Sequence, residues 1–353
     1  MVPDKGVREP PLGAVLARPA RLCYTLPMND DARPGLGTRL SHAALNLAVA
    51  AHLGLLVAYF GLHALGGERL WYVEALGYVA PWLFAPLLVL LPAILLLRRR
   101  ALLALIAIPV GLFLLLYGAL FLPRTRPAAA GTPFTVLTYN INGLNRDVEA
   151  IAAAIEVHDP DVVALQEVNV SMNRALEARL LDRYPHRRWE RGMGLYSRLP
   201  LEQYQAFRLG DGQGYWAQQC VLRVDGRALT LLNVHPRSIG GQLRHPAASA
   251  HAADVRDLVS RVDGIDGPLL VAGDLNLTDR HAAYTALARH LRDAHREAGW
   301  GMGFTFRPSS ASPALWRIDY VLHSPDLATL DADLGDFSGS DHRPLVATLA
   351  WGR

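Results

Sequence analysis

The chain has 353 residues, with 35 Lys and Arg against 32 Asp and Glu, a formal net charge of +3 and a mean hydropathy of +0.15. A charge that small does not by itself support binding to nucleic acid, and the positive hydropathy sets the chain apart from an ordinary soluble protein. Cys23 and Cys220 fall in different parts of the chain, so no disulfide framework is implied and the redox compartment stays open.

Residues 1–40 are rich in Pro, Gly and Arg without apolar periodicity and read as a disordered cytoplasmic tail, with Met28 a second candidate start. Apolar residues then crowd between Ala43 and Leu122. Three stretches approach the roughly 20 residues that cross a bilayer: Ala43–Leu65, which carries Asn46, His52 and His63; Val79–Leu97; and Ala101–Leu122. Only Arg98–Arg100 separate the last two, which predicts a tight hairpin with a basic turn. Pro81, Pro86 and Pro92 suit a membrane span better than a soluble helix. A signal peptide fits poorly, because no small-residue cleavage site follows the first stretch. Arg33 and Arg39 precede the first span and Arg98–Arg100 precede the third. Cytoplasmic loops carry excess Lys and Arg, so the Gly66–Tyr78 loop and everything beyond the third span are expected outside. Arg124 and Arg126 temper that bias. Trp71, Tyr72 and Trp82 suit an interfacial belt. The expected organisation is tail 1–40, anchor 41–126, linker 127–133 and a domain over 134–353.

The domain reads as mixed strands and helices. Phe134–Tyr139 is a predicted strand, followed by a helix over Asp147–Val157 with Asn145 as its cap, a buried strand over Asp161–Gln166 and a helix over Ser171–Tyr184. Strands follow near Gly194–Ser197, Leu201–Leu209, Trp216–Val224 and Ala228–Val234, then a helix over Ala247–Val262. Leu269–Ala272 is a buried strand, His281–His290 is helical, and Ile318–Leu322 and Pro344–Leu349 are strands. Several hairpins among alternating elements imply an α/β class, two-sheet sandwich.

Polar residues recur at the strand ends: Asn140, Glu167, His235, Asp274 with Asn276, and Asp341 with His342. Each has an ordinary reading. Asn140–Gly143 suits a turn, Glu167 a solvated strand end, Gly273–Asn276 an Asx-turn and Ser340–His342 a loop bend. Together they make an oxygen-rich constellation on one edge of a sandwich, where loops carry binding groups. Mg²⁺ or Mn²⁺ takes one or two carboxylates and completes its shell with water and phosphate. Glu167 and Asp341, with the carbonyl of Asn140, supply such a site, and the absence of Cys or His at zinc spacing argues against zinc. An Asp–His pair supplies a base when the carboxylate fixes the tautomer, and Asp319 is the candidate partner of His342. This chemistry fits phosphate-ester hydrolysis.

At Leu137–Gly143, Leu165–Val168, Asn233–His235, Gly273–Asn276, Arg317–Val321 and Ser340–Pro344 the chain resembles the endonuclease/exonuclease/phosphatase superfamily, in the family order and across the whole domain. The resemblance implies a four-layered α/β sandwich of deoxyribonuclease I type, preceded here by three transmembrane helices. It implies Asn140, Glu167 and Asp341 around the metal, Asp274 and Asn276 aligning nucleophile and phosphate, and an Asp319–His342 pair. His235 matches the histidine that sphingomyelinases and deoxyribonuclease I use near the leaving group. Asn142, where some relatives carry Asp, and Arg237 are the expected substrate contacts. The layout is similar to actinobacterial membrane proteins linked to vancomycin and teicoplanin resistance, which implies a lipid phosphate or pyrophosphate as substrate and the bilayer as partner. A nuclease on the same fold is the competing reading, with weak support from the basic loop Arg237–His245. A non-catalytic sensor is disfavoured because the expected catalytic positions are all filled. The apolar, glycine-rich Gly299–Phe306 is either a loop that meets a lipid chain or one half-buried under the sheet.

Overall fold

The computed structural model describes residues 35–66, 71–125, 127–210, 212–238 and 245–352. Of the expected tail 1–40, residues 1–34 lie outside the described residues, as do Arg126 and residues 239–244 of the basic loop, whereas residues 36–40 are helical. Tertiary contacts divide the chain at Ala44, inside the first helix; of the first unit, residues 36–44 are helical.

The second unit, Leu45–Arg353, opens with the apolar segments. They are α1 (Leu36–Gly66, continuing from the first unit), α2 (Trp71–Val79), a 3-10 segment Ala80–Phe84, α3 (Leu87–Leu96), α4 (Arg100–Tyr117) and a 3-10 turn Gly118–Phe121. Leu36–Leu65, Ala75–Leu96 and Arg100–Phe121 are each long and apolar enough to cross a membrane. The second is a broken rod. Pro81 opens the 3-10 segment and Pro86 caps α3, positions where no intrahelical N–H bond is lost. Asn46, one of the polar residues inside the first span, accepts a bond from Arg99 of the basic turn at 3.2 Å. Val49, Ile94 and Ile106 form the inner seam, while Leu88, Leu96 and Leu115 point outward, each at least 80% exposed.

The domain proceeds through β1 (Ala129–Asn140), α5 (Val148–His158), β2 (Val162–Gln166), α6 (Val170–Leu180), β3 (His186–Glu190), β4 (Met193–Ser197) and β5 (Glu202–Arg208). It continues through β6 (Trp216–Val224), β7 (Arg227–Val234), α7 (His245–Asp263), β8 (Leu269–Asp274), α8 (Ala282–Leu287), β9 (Arg292–Asp293) and α9 (Ala294–Ala298). It ends in β10 (Asp319–His323), β11 (Leu327–Leu334) and β12 (Leu345–Gly352). Two six-stranded sheets result, in the orders β11-β12-β1-β2-β4-β3 and β5-β6-β7-β8-β10-β9. The pairs β1–β2 and β7–β8 are parallel and bring the ends of four strands to one side.

Alternation along the strands builds the layers. Val136 and Ala164 face the core between the sheets, while Leu137 and Val163 face α5 and α6. On the other sheet Leu231 and Leu270 face inward, and Leu232 and Val271 pack under α7 and α8. The architecture is therefore helix, sheet, sheet, helix, as expected.

Local details differ from the sequence reading. Asp147, not Asn145, caps α5 by accepting from the Ala150 N–H at 3.0 Å; Asn145 braces the loop before it. Ala129 and Ala130, expected in the linker, already pair with Gly352 and Trp351. β3, β9, α9 and β11 had no clear sequence pattern.

One polar cluster joins the sheets through the core. The Asn233 amide donates to the carbonyls of Leu165 and Gly194 at 3.2 Å each and to Gln218 Oε1 at 2.9 Å, and its oxygen accepts from Gln166 at 2.8 Å. All three side chains are fully buried. Replacing Asn233 with Leu strands these partners, at about 1–3 kcal/mol for each one left without a bond. A marked fall in the thermal midpoint of the detergent-solubilised chain is expected; an unchanged midpoint would show the cluster to be ornamental.

Candidate active site

β1 and β2 end side by side and deliver Asn140 and Glu167; β7 and β8 do the same for His235 and Asp274. Asp319 begins β10, opposite Asp274, and Asp341 and His342 lead into β12. Gly273 makes the approach possible. At φ 153° an added Cβ would lie 1.9 Å from the Val234 carbonyl oxygen, so only glycine lets β8 pass β7 there.

Three site residues with side chains hold positive φ: Asn142 at 60°, Glu167 at 58° and Asn276 at 49°. Such backbone costs about 1–3 kcal/mol and persists only where neighbours over-determine it. They do so here. The Asn142 N–H donates to Asn140 Oδ1 at 3.0 Å, Glu167 Oε2 accepts from the Gly143 N–H at 2.8 Å, and the Asn276 N–H donates to Asp274 Oδ1 at 2.8 Å. The last is the expected Asx-turn.

Asn140 is the hub. Its amide nitrogen donates to Glu167 Oε1 at 3.0 Å and to Asp274 Oδ2 at 2.9 Å. Two carboxylates on that side require the nitrogen there, and the carbonyl faces Asn142. Asn140, expected around the metal, thus braces two carboxylates through its amide nitrogen. Asn142 is likewise committed, donating to Asp341 Oδ1 at 3.1 Å and accepting from the Leu144 N–H at 3.0 Å. Arg237, the other expected substrate contact, is anchored on α7. Its backbone N–H, Nε and Nη2 all bond the buried Asp254 of α7, at 2.6–2.9 Å. Asn276 ties its loop to the His235 loop through the Pro236 carbonyl at 3.0 Å.

His342 Nδ1 donates to Asp319 Oδ2 at 2.8 Å, which turns Nε2 toward Asp274 Oδ2 at 3.8 Å. His235 Nε2 lies 3.7 Å from Glu167 Oε1 and 3.7 Å from the same Asp274 oxygen. Asp274 thus sits between two imidazoles. Burial, joined by the charge of Asp319, pushes its carboxyl well above the usual range. Burial works against a charged His342, but Asp319 and Asp274 outweigh it and raise the imidazole to about 9. Burial lowers His235, with Glu167 opposing. Burial would raise Glu167, yet His235, Asn140 and the Gly143 N–H hold it below its ordinary value.

Two sets of groups suit a cation. Asp274, Asp319 and His342 offer atoms within 4.8 Å of one another, but all three are buried and His342 already binds Asp319. Glu167 and Asp341 form the outer set. The Glu167 side chain is 39% exposed, and Asp341 Oδ2 receives no hydrogen bond among the described residues. A hard cation that keeps several waters fits this open, all-oxygen pair better than the dry inner cluster.

Aromatic walls complete the site; Tyr215 had no signal in the sequence, whereas Phe306 ends the apolar Gly299–Phe306 stretch. The Tyr215 ring lies 5.3 Å from His235 and the Phe306 ring 4.8 Å from His342. The apolar segments also reach it. The Tyr78 hydroxyl donates to the Asn276 carbonyl, and Thr278 Oγ1 donates to the Gly77 carbonyl at 3.1 Å. Trp82 stacks on Phe304 at 5.4 Å and donates to the Leu315 carbonyl, so it serves this contact; the side chains of Trp71 and Tyr72 lie outside the described residues. The Gly301 N–H bonds the Leu120 carbonyl at 2.7 Å, and Met302 packs on Leu56, Phe84 and Tyr117. The loop Gly299–Phe306 is thus docked on the apolar segments.

A family model described as the endonuclease/exonuclease/phosphatase family matches residues 137–342. The endonuclease/exonuclease/phosphatase of Beutenbergia cavernae is similar in fold, with 23% identity, a TM-score of 0.53, and coverage of 62% of this chain and 72% of that one. The protein of that description from Bacteroides vulgatus has 20% identity and a TM-score of 0.52, covering 62% and 99%. A humanized TDP2 of D. rerio has 17% identity and a TM-score of 0.51, covering 62% and 98%. At these identities the likeness speaks to fold. Among curated proteins, none matches the sequence.

The geometry makes Asp319 and His342 one unit. Asp319→Asn and His342→Ala should each lower kcat by about 10²–10⁴, and the double variant should fall little further. Clear additivity would separate them.

Proposed function

We propose that this chain, which belongs to the endonuclease/exonuclease/phosphatase family, hydrolyses a phosphate or pyrophosphate bond of a membrane lipid, a lipid-linked cell-wall intermediate included. Hydrolysis of phosphoester bonds with a divalent metal is the chemistry of that family, and the three apolar helices fit a membrane anchor. The choice of a lipid rests above all on the Tyr78–Asn276 bond. A residue at the head of the second apolar segment holds the loop that follows Asp274, so the reacting centre stays beside the anchor. A long nucleic acid gains nothing from that placement, whereas a lipid headgroup arrives there by lateral motion.

In this reading Glu167 and Asp341 hold Mg²⁺ or Mn²⁺, which when bound neutralises charge on the phosphoryl oxygens. His342, kept cationic by Asp319, donates from Nε2 to a non-bridging oxygen. Asp274, whose carboxyl is raised, orients the attacking water and accepts its proton. His235 Nε2 hydrogen-bonds the departing oxygen. Asn140 and Asn142 hold the carboxylates, and Asn276 positions Asp274.

The test is a hydrolysis panel on the detergent-solubilised chain with Mg²⁺, offering undecaprenyl pyrophosphate, phosphatidic acid, sphingomyelin and single-stranded and duplex DNA. Turnover of a lipid phosphate or pyrophosphate is expected, abolished by a strong chelator and restored by Mg²⁺ or Mn²⁺. DNA cleaved faster than every lipid, or restoration by Zn²⁺ alone, would overturn the reading.

The basic turn Arg98–Arg100 supports a domain facing out of the cytoplasm. A reporter active only after export, fused behind Arg353, should give signal, and one active only in the cytoplasm should stay silent. The opposite pair of results would reverse the orientation.

A further inference from the structure

Between α3 and α4, under the domain's Gly299–Phe306 loop, runs a groove of ≈ 390 Å³. All its lining residues are apolar, among them Trp82, Leu91, Val110 and Phe113 from the membrane segments and Met302 and Phe304 from the loop. We propose that this groove holds the hydrocarbon chain of the lipid whose phosphate enters the catalytic centre. The proposal rests on the lipid-phosphate reading above and adds where the chain lies.

The surroundings select the occupant. The groove belongs to two segments able to cross a bilayer, and its rim residues Leu88 and Leu114 are 80% and 58% exposed. Its open side therefore meets hydrocarbon. A volume of that size lies in the range of small-molecule sites, roughly 300–1,000 Å³. Ala85 and Val110 keep it open where larger side chains would close it.

The loop supplies the direction. Phe304 lines the groove, and Phe306 lies two residues further, at most about 7 Å along the backbone. The Phe306 ring is 4.8 Å from that of His342 and stacks on Trp316 at 5.6 Å. Trp316 faces a narrow cleft that shares Pro81, Met302 and Phe304 with the groove and reaches Arg317. A chain lying in the groove thus points its polar end along a continuous aromatic edge toward His342. The same loop is fastened to the anchor by Gly301 and Met302, so groove and centre keep a fixed spacing.

The experiment uses the full chain in phosphatidylcholine vesicles with a chelator, so that labelling does not depend on turnover. The probes are hexadecyl phosphate with a diazirine in mid-chain and hexadecanol with the same tag. After illumination, adducts of the phosphate probe should concentrate on Leu91, Val110 and Met302, and excess untagged hexadecyl phosphate should remove them. The alcohol should label these positions no more than outward Leu96 and Leu115. Val110→Trp should lower labelling of Met302 about tenfold, whereas Leu115→Trp should leave it unchanged. A thermal midpoint close to that of the unaltered chain for both variants in detergent checks that they fold. Even labelling of groove and outer surface by the phosphate probe, or equal groove labelling by the alcohol, would overturn the proposal: the groove then holds bulk lipid. Groove labelling in a chain that cleaves no lipid in the panel would sink the hydrolytic reading and leave the groove standing. Lipid cleavage with even labelling would do the reverse.

Discussion

The site depends on two sheets being held at one offset, and the Gln166–Asn233–Gln218 cluster fixes that offset. Apolar faces slide against each other at little cost, because burial is not directional. Hydrogen bonds to the Leu165 and Gly194 carbonyls are directional, and a shift of one residue would leave buried polar atoms without partners. Gln166 immediately precedes Glu167, and Asn233 stands two residues before His235. The staple therefore sets the 3.7 Å between Glu167 and His235, which come from different sheets.

Around that fixed frame, burial divides the acidic groups into two kinds. Glu167 and Asp341 stand at the mouth, braced by Asn140 and Asn142, where a charge remains in contact with water. Asp274 and Asp319 lie inside, where two like charges so close would be costly without the cation of His342. One carboxylate pairs with the imidazole, and burial drives the other toward neutrality. Asn140 touches both kinds and keeps them in register.

The fold and most of the centre were legible because the signals are local. Buried strands such as Leu269–Ala272 show as apolar runs, and a polar residue just past each run marks a strand end. Asp274 stands just past such a run and His342 just before one, whereas Asp319 falls inside its expected strand and was picked out by the Arg317–Val321 motif of the resemblance. What each side chain does there is a matter of tertiary partners, which a single sequence does not reveal. Asn140 faces two carboxylates, and Arg237 meets Asp254 from a helix 17 residues later. β11 escaped notice although it pairs with β12 along its length, because a register shift between Thr329 and Asp331 breaks the alternation, so that Leu327 and Ala332, an odd number of residues apart, face the same core. Tyr78 was unreadable for a related reason: its partner is a backbone carbonyl, which leaves no trace in residue type.

The docking of the Gly299–Phe306 loop has a geometric consequence. A domain on a slack tether samples a hemisphere, and its reach grows with the length of the tether. This domain is gripped at Gly301, Phe304 and Asn276 by the segments that carry it, so if those segments lie in a bilayer, as proposed, the height of the catalytic edge above it is set by side-chain packing. Phosphates standing at that height are within its range, and those carried higher are not. On the proposed lipid reading its search for a substrate would be a two-dimensional walk, with crowding in the plane of the leaflet rather than concentration in bulk water governing how often it meets one.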